Sequence, residues 1–407
     1  MQRATINNRF SLTILTVDML NNSIHKILFF WILSIFLLCP QIILAEETIL
    51  VVPSPKIAAT SYILQDFNSG RVLAEKDADQ VLPPASLTKI MTVYVIFNEL
   101  KNGHLTLDEK VTVSKKAWKT PGSRMFIEVN KQVTVENLLK GVIIQSGNDA
   151  SVALAEHVAG TESTFAGLMN QHARRLGMKN THFVNSTGLP HPEHHTTARD
   201  LAILARAVIK EFPEYYRWDS EKEFTYNGIT QQNRNKLLWR DTSVDGVKTG
   251  HTEEAGYCLV ASAKRNDMRL VSVVLGTKSE NARANETQSL LNYGFRFFET
   301  HRLYKANDVL TETRVWKGKE KNLKIGLREG FYVTIPRRHY QDLKATLNVD
   351  NQITAPIAKG QKVGTIEVKL NGKIIAKAAL IALSNIEKGN LLRQLYDEAL
   401  LLLKLKL

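Results

Sequence analysis

Apolar and polar residues alternate through "ATSYILQDF", break at Asn68–Gly70, and alternate again through "RVLAEKD", which predicts a β-hairpin within residues 58–82. Next comes "PPASLTKIMTVYVIFNEL", two prolines leading into a helix-like run that is apolar almost throughout. Helical spacing of apolar positions recurs in "TVENLLKGVII" and "DASVALAEHVA", joined at "QSGN", and then in "TFAGLMNQHARRLGM" and "TARDLAILARAVIKEF". The period then falls to two. "DGVKTG" reads as a strand, and "GYCLVASAK" and "MRLVSVVLG" read as an antiparallel hairpin turning at Arg265–Asp267. "ENARANETQSLLNYGFRFFET" predicts a closing helix. Strands at both ends of a helical middle predict an α+β domain whose terminal segments share one antiparallel sheet.

From residue 298 to 388 the pattern is short alternating segments such as "LTETRVW", "FYVTIP" and "KVGTIEVKL", separated by turns. That predicts a small all-β domain of sandwich type. Residues 389–407 predict an amphipathic helix. Arg393, Gln394, Asp397 and Glu398 share one face; Leu392, Leu395, Ala399, Leu402 and Leu403 share the other. Charges at 393, 397, 398, 404 and 406 make crossing a bilayer costly, so the expected role is to lie in a membrane interface. Packing on the β domain or between protomers is the alternative.

At the other end, His25 and Lys26 precede the uncharged run "ILFFWILSIFLLCPQIILAEE". A basic flank, an apolar stretch and the small Ala45 before Glu46 predict a secretory signal over residues 1–45, with Met19 as an alternative start. An uncleaved anchor is the other reading. Leu38 is not the small residue a lipoprotein signal places before its cysteine, here Cys39. Cleavage would leave Cys258 as the only cysteine, so no intrachain disulfide is expected. Its apolar run makes it a buried structural thiol. The remaining 46–297 forms the first folded domain. A formal net charge of +13 favours anionic partners. No zinc-finger spacing, RNA-binding aromatic motif or arginine-rich tract points to nucleic acid.

Candidate chemistry lies in three short motifs. Ser86 and Lys89, three apart at a helix start, are neighbours on its surface. "QSGND" supplies Ser146 and Asn148, and "VKTGH" supplies Lys248, Thr249, Gly250 and His251. Each is cheap alone: Ser23–Lys26 repeats the first spacing, and Ser279–Asn281 repeats the second out of order. Together they assemble a chemistry. A serine hydroxyl becomes a nucleophile when a nearby base takes its proton. Lysine can be that base only when neutral, which burial and a second positive charge both favour. The apolar run after Lys89 supplies burial; Lys248 and the helix N-terminus supply positive potential. Ser146 can pass a proton to the leaving amine, and Asn148 can hold Lys89 and a substrate amide. Lys248 and Thr249 suit a substrate carboxylate, and Gly250 leaves room for substrate backbone. The N–H groups of Ser86 and His251 would form an oxyanion hole.

With "SGNDASVALAEHVAG", "LGMKNTHFVNSTGL", "TARD", "VDGVKTGHTEEAGYCLVASA" and "GFRFFET" in order, the chain resembles the penicillin-recognising serine acyltransferases. More narrowly, it is similar to the low-molecular-weight D-alanyl-D-alanine carboxypeptidases. That resemblance implies a penicillin-binding/β-lactamase-like transpeptidase domain, then a β-sandwich and an amphipathic membrane helix. It implies peptidoglycan stem peptides as substrate and β-lactams as covalent inhibitors, at the periplasmic face of the inner membrane, with no cofactor and no metal. Ser86 would be acylated, Lys89 its base, Ser146 an aid to proton transfer and Lys248 the carboxylate's partner. Lys278 stands where some relatives carry arginine, while Arg283 keeps its family context.

Three other readings compete. A class A β-lactamase needs an E-x-x-L-N segment between the second and third motifs, and none lies there; "ETQSLLN" comes too late. A metallocarboxypeptidase would rest on His191, Glu193, His194 and His195, but "HPEHH" lacks H-E-x-x-H spacing and its proline points to a loop. A wall-binding scaffold with a dead site would have lost a motif residue, and none is lost.

Overall fold

The computed structural model describes residues 52–53 and 55–404; the expected signal segment lies outside them. Its first sheet joins β1 (Ser61–Asp66), β2 (Val72–Lys76), β3 (Val244–Thr252), β4 (Gly256–Arg265) and β5 (Met268–Thr277). The order is β2-β1-β5-β4-β3, antiparallel throughout, so the two sequence ends of the domain do meet in one sheet. Both faces of that sheet are covered. Ile63, Val260, Val271 and Val273 join the core on the helical side. Leu64, Leu259, Leu270 and Val274 pack on the other side with Leu290 and Leu291. Double burial is why β4 and β5 read as nearly continuous apolar runs rather than clean alternations.

Seven helices carry the argument. They are α1 (Lys89–Lys101), α2 (Val135–Lys140), α3 (Asn148–Ala159), α4 (Glu162–Leu176), α5 (Ala198–Glu211), α6 (Glu280–Phe297) and α7 (Leu391–Lys404). α1 is buried from Lys89 to Phe97, the fate of a helix that is apolar all round. Local sequence sets several starts: Thr134, Thr161, Thr197 and Ser279 each accept from the N–H three residues on. Such caps are worth about 1 kcal/mol each. α6 stops at Phe297, three residues short of the expected helix. Phe298–Thr300 open strand β6 instead, paired with Thr334–Pro336, because this strand pairing satisfies the backbone of the second domain.

The second domain contains β6 (Phe298–Tyr304), β7 (Thr311–Trp316), β8 (Asn322–Gly326), β9 (Phe331–Pro336), β10 (Leu343–Val349), β11 (Ile353–Thr354), β12 (Lys362–Leu370) and β13 (Lys373–Ala382). β6 pairs with β9, and the rest form a sheet ordered β10-β12-β13-β8-β7-β11. Thr300 donates to Asp66 (2.7 Å) and Arg71 to the Thr334 carbonyl (2.6 Å), tying it to the first domain. α7 docks by its polar face. Asp397, fully buried, accepts from Arg314 (2.9 Å) and from the Lys317 N–H (2.7 Å). Leu391, Leu392, Leu395, Tyr396, Leu402 and Leu403 are left exposed. Among the described residues no helix is long and apolar enough to cross a membrane.

Candidate active site

Ala85–Thr88 form a single 3-10 turn feeding directly into α1. Ala85 lies in the left-handed region at φ +48°, and Leu87 N–H closes the turn on the Pro84 carbonyl (3.1 Å). This puts Ser86, half-buried, on the wall of a cavity of about 280 Å³. Lys89 lies behind it, 1% exposed. Its Nζ is 3.1 Å from Ser86 Oγ, 2.6 Å from Asn148 Oδ1 and 2.6 Å from the Thr187 carbonyl. Burial pulls the ammonium down to about 7, and the nearby Arg234 pushes the same way. Arg234 is a nearby cation that the motif pattern does not name, and the repulsion between Lys89 and Lys248 that the pattern points to is present as well.

The three contacts serve either protonation state: an ammonium would donate to all three oxygens, while a neutral amine would donate to two and accept from the third. A neutral amine has two N–H bonds and one lone pair. The Asn148 oxygen and the Thr187 carbonyl can only accept, so they take both N–H bonds. In that neutral form the lone pair would face the Ser86 hydroxyl, the one partner able to donate, whereas the ammonium form donates to Ser86 Oγ.

α2 continues as a π-helical turn over Gly141–Gln145 and ends at Ser146, which is left-handed at φ +67°. Ser146 Oγ is buried, lines the cavity and has no hydrogen-bond partner among the described residues. Asn148 is turned away from the cavity wall: its Nδ2 donates to the Pro121 carbonyl (2.6 Å), so it links Lys89 to the 121–127 loop. Asp149, which the motif reading passes over, anchors that loop. Its carboxylate accepts from the N–H groups of Met125, Phe126 and Ile127. The loop brings Ser123 to the cavity wall.

β3 supplies the third wall. Thr249, Gly250 and His251 line the cavity, and His251 stacks on Tyr257 with ring centres 3.9 Å apart. Lys248 is buried beneath them, its Nζ 3.3 Å from the Thr249 carbonyl. Burial first, then repulsion from Lys89, Arg234 and Arg283, hold its ammonium well below the usual lysine range. A carboxylate arriving here meets concentrated positive potential. The cations on the wall itself are Arg234 and Arg283. Arg283 donates to the Gly250 carbonyl (3.3 Å), and Arg234 to that of Gln145 (3.0 Å). Lys278 is exposed and off the wall. Gly250 has a reason other than substrate approach: a Cβ there would lie 3.1 Å from Leu87 and 3.2 Å from the Pro84 carbonyl. Glycine lets β3 pack against the nucleophile's turn.

Arg234 and Ser123 lie in no motif, and Asp149 closes the second motif without a role assigned to it. They come together only because the loop at 121–127 and the segment after the Glu223–Gln232 hairpin fold over the same hole. Of the loop histidines, His191 and Glu193 are exposed, His195 is half-buried and His194 is buried. Among the described residues no group of three or more histidine, cysteine, aspartate or glutamate side chains could hold a metal ion. Cys258 is a buried free thiol with its pKa raised by burial to about 11.

Residues 48–279 match the family model for D-alanyl-D-alanine carboxypeptidase, and residues 298–388 match that for the C-terminal domain of penicillin-binding protein 5. The chain is 48% identical to the D-alanyl-D-alanine carboxypeptidase DacC of Escherichia coli, over 89% of this chain and 92% of that one. Its structure is similar to penicillin-binding protein 5 from Haemophilus influenzae, with a TM-score of 0.80 and 43% identity, covering 83% of this chain and all of the other. Penicillin-binding protein D2 from Listeria monocytogenes in its ampicillin-bound form is similar at TM-score 0.56 and 31% identity, over 60% of this chain and all of that one.

Proposed function

The chain belongs to the D-alanyl-D-alanine carboxypeptidase family, and on that premise we propose that it removes the terminal D-alanine from peptidoglycan stem pentapeptides through an acyl-enzyme on Ser86. The observation that carries this reading is the Ser86–Lys89 pair, its Nζ and Oγ 3.1 Å apart, with a fully buried amine whose pKa burial lowers to about 7. Lys89 takes the Ser86 proton as Oγ attacks the carbonyl carbon of the penultimate D-alanine. The N–H groups of Ser86 and His251 hold the oxygen as it becomes negative. When the C–N bond breaks, the amine of the departing D-alanine needs a proton. Ser146, an unpartnered hydroxyl on the same wall, relays it from the Lys89 ammonium. Water then attacks the ester, releasing the shortened peptide and restoring Ser86.

Lys248, Thr249, Arg234 and Arg283 draw in the terminal carboxylate, which in turn favours the ammonium form of Lys248 and leaves Lys89 as the neutral base. β-Lactams, whose carboxylate and strained amide present the same features, would acylate Ser86. No step calls on a cofactor. The exposed leucines of α7 support a peripheral seat on the outer face of the inner membrane. Mass spectrometry after incubation with a penicillin tests the assignment: one adduct on Ser86 in the wild type and none in Ser86→Ala of unchanged fold. An adduct persisting in Ser86→Ala would refute it.

A further inference from the structure

The histidine-rich loop that the three motifs leave unexplained folds directly behind the nucleophile. We propose that His194 is a positioning residue for Ser86, acting through the Thr88 hydroxyl on the Ala85 carbonyl to hold the turn that aims Ser86 at Lys89. The inference rests on Ser86 being the nucleophile.

Three hydrogen bonds run in one direction. The Val184 N–H points at His194 Nδ1 (3.3 Å), so Nδ1 is the accepting nitrogen and Nε2 carries the hydrogen. Nε2 lies 2.8 Å from Thr88 Oγ1, and that hydroxyl donates to the Ala85 carbonyl at 2.8 Å. A hydroxyl has one proton, and Ala85 O can only accept. The relay therefore reads Val184 N–H to His194, His194 N–H to Thr88, Thr88 O–H to Ala85. It ends on the residue at φ +48°, a conformation that a non-glycine residue adopts only when its surroundings enforce it.

The ring is itself held. His194 is 3% exposed, with Phe183 edge-on at 5.7 Å between ring centres. Burial, with His182, His191 and His195 adding positive charge, pushes the imidazole down to about 4, so the neutral tautomer persists where the enzyme works. The same loop reaches the nucleophile's turn at a second point. A Cβ on Gly188 would lie 1.8 Å from the Ala85 carbonyl oxygen, so only glycine fits. Its neighbour Thr187 gives its carbonyl to Lys89. One loop thus grips both partners of the proton transfer, Lys89 through Thr187 and the Ser86 turn through His194.

The test measures the acylation rate constant and the dissociation constant of the preceding complex with a fluorescent penicillin. It compares wild type, His194→Leu, Thr88→Val, the double variant and His194→Gln. Each single loss should slow acylation roughly ten- to hundredfold, the scale of a small misplacement of a reacting group. The double variant should be no slower than the slower single one, because both cut one relay. Initial binding should stay within about twofold, since the relay touches no ligand. His194→Gln, whose amide N–H can reach Thr88, should recover most of the rate. Independent, multiplying losses, or a loss confined to initial binding, would overturn the proposal. If His194→Leu does not fold, Thr88→Val against Thr88→Ser decides: a slow valine and a near-normal serine variant support the relay, and equal rates overturn it. A wild type that takes no label on Ser86 removes the premise, an outcome separate from unaffected variants in a labelled wild type.

Discussion

Raising the pH from 5 to 8 should switch acylation on with a midpoint near that of Lys89, about 7. With that midpoint the neutral fraction rises from about 1% to about 90%, so the rate should climb roughly ninetyfold and then level off. An unperturbed lysine at 10.5 would still be gaining tenfold per pH unit at pH 8. The gap between 10.5 and about 7, at 1.36 kcal/mol per pH unit, amounts to roughly 5 kcal/mol of preference for the neutral amine. Its origin is desolvation first and Arg234 second. Arg234→Gln should therefore move the midpoint to higher pH, and Lys89→Arg, which has no neutral form to offer, should slow acylation roughly a thousandfold.

The same gap appears in stability. The unfolded chain binds more protons than the native one between about pH 7 and 10.5, so this contribution rises with pH across that window and is least favourable below it. Stopped-flow labelling with a fluorescent penicillin between pH 5 and 9 gives the rate profile. Thermal unfolding of wild type against Lys89→Met over pH 6 to 10 isolates the stability term. A rate that is flat from pH 5 to 8, or one still rising tenfold per unit at pH 9, would refute the neutral-base account. So would a wild-type-minus-Lys89→Met stability difference that does not change with pH.

Asp149→Ala strips the acceptor from three backbone N–H groups in the 121–127 loop. Calorimetry should show a loss of roughly 3 kcal/mol, with slower acylation because Ser123 and Pro121 lose their support. Lys248→Ala should raise KM for a pentapeptide by more than it lowers kcat, while a tight KM would deny Lys248 a part in carboxylate binding. Deleting residues 390–407 should release the mature enzyme from the membrane pellet with its activity on small peptides intact. Asp397→Asn weakens the links from α7 to Arg314 and Lys317, so hydrogen exchange in 391–404 should quicken without loss of activity.

Much of this molecule was legible in the chain because the deciding interactions are local. Ser86 and Lys89 meet because three residues make one turn, and Thr134, Thr161, Thr197 and Ser279 cap helices a few atoms away. The β4–β5 hairpin follows from its apolar runs and from Asn266, which takes the turn at φ +53°. The Glu223–Gln232 hairpin carries an equally local turn signal in Asn227–Gly228, both at positive φ, but its strands span only four residues each, too short for alternation to stand out. Spacing could not say which charge lowers the Lys89 pKa, because desolvation and Coulomb fields act through space. Arg234 is 145 residues away in sequence, and only the closed fold brings it near. Nor could the pattern choose what α7 packs with. Its two faces were plain, but a buried Asp397 held by Arg314 turns the polar face inward and leaves the leucines outside. Amphipathicity specifies two faces, and the partner that satisfies a buried charge decides which one stays dry.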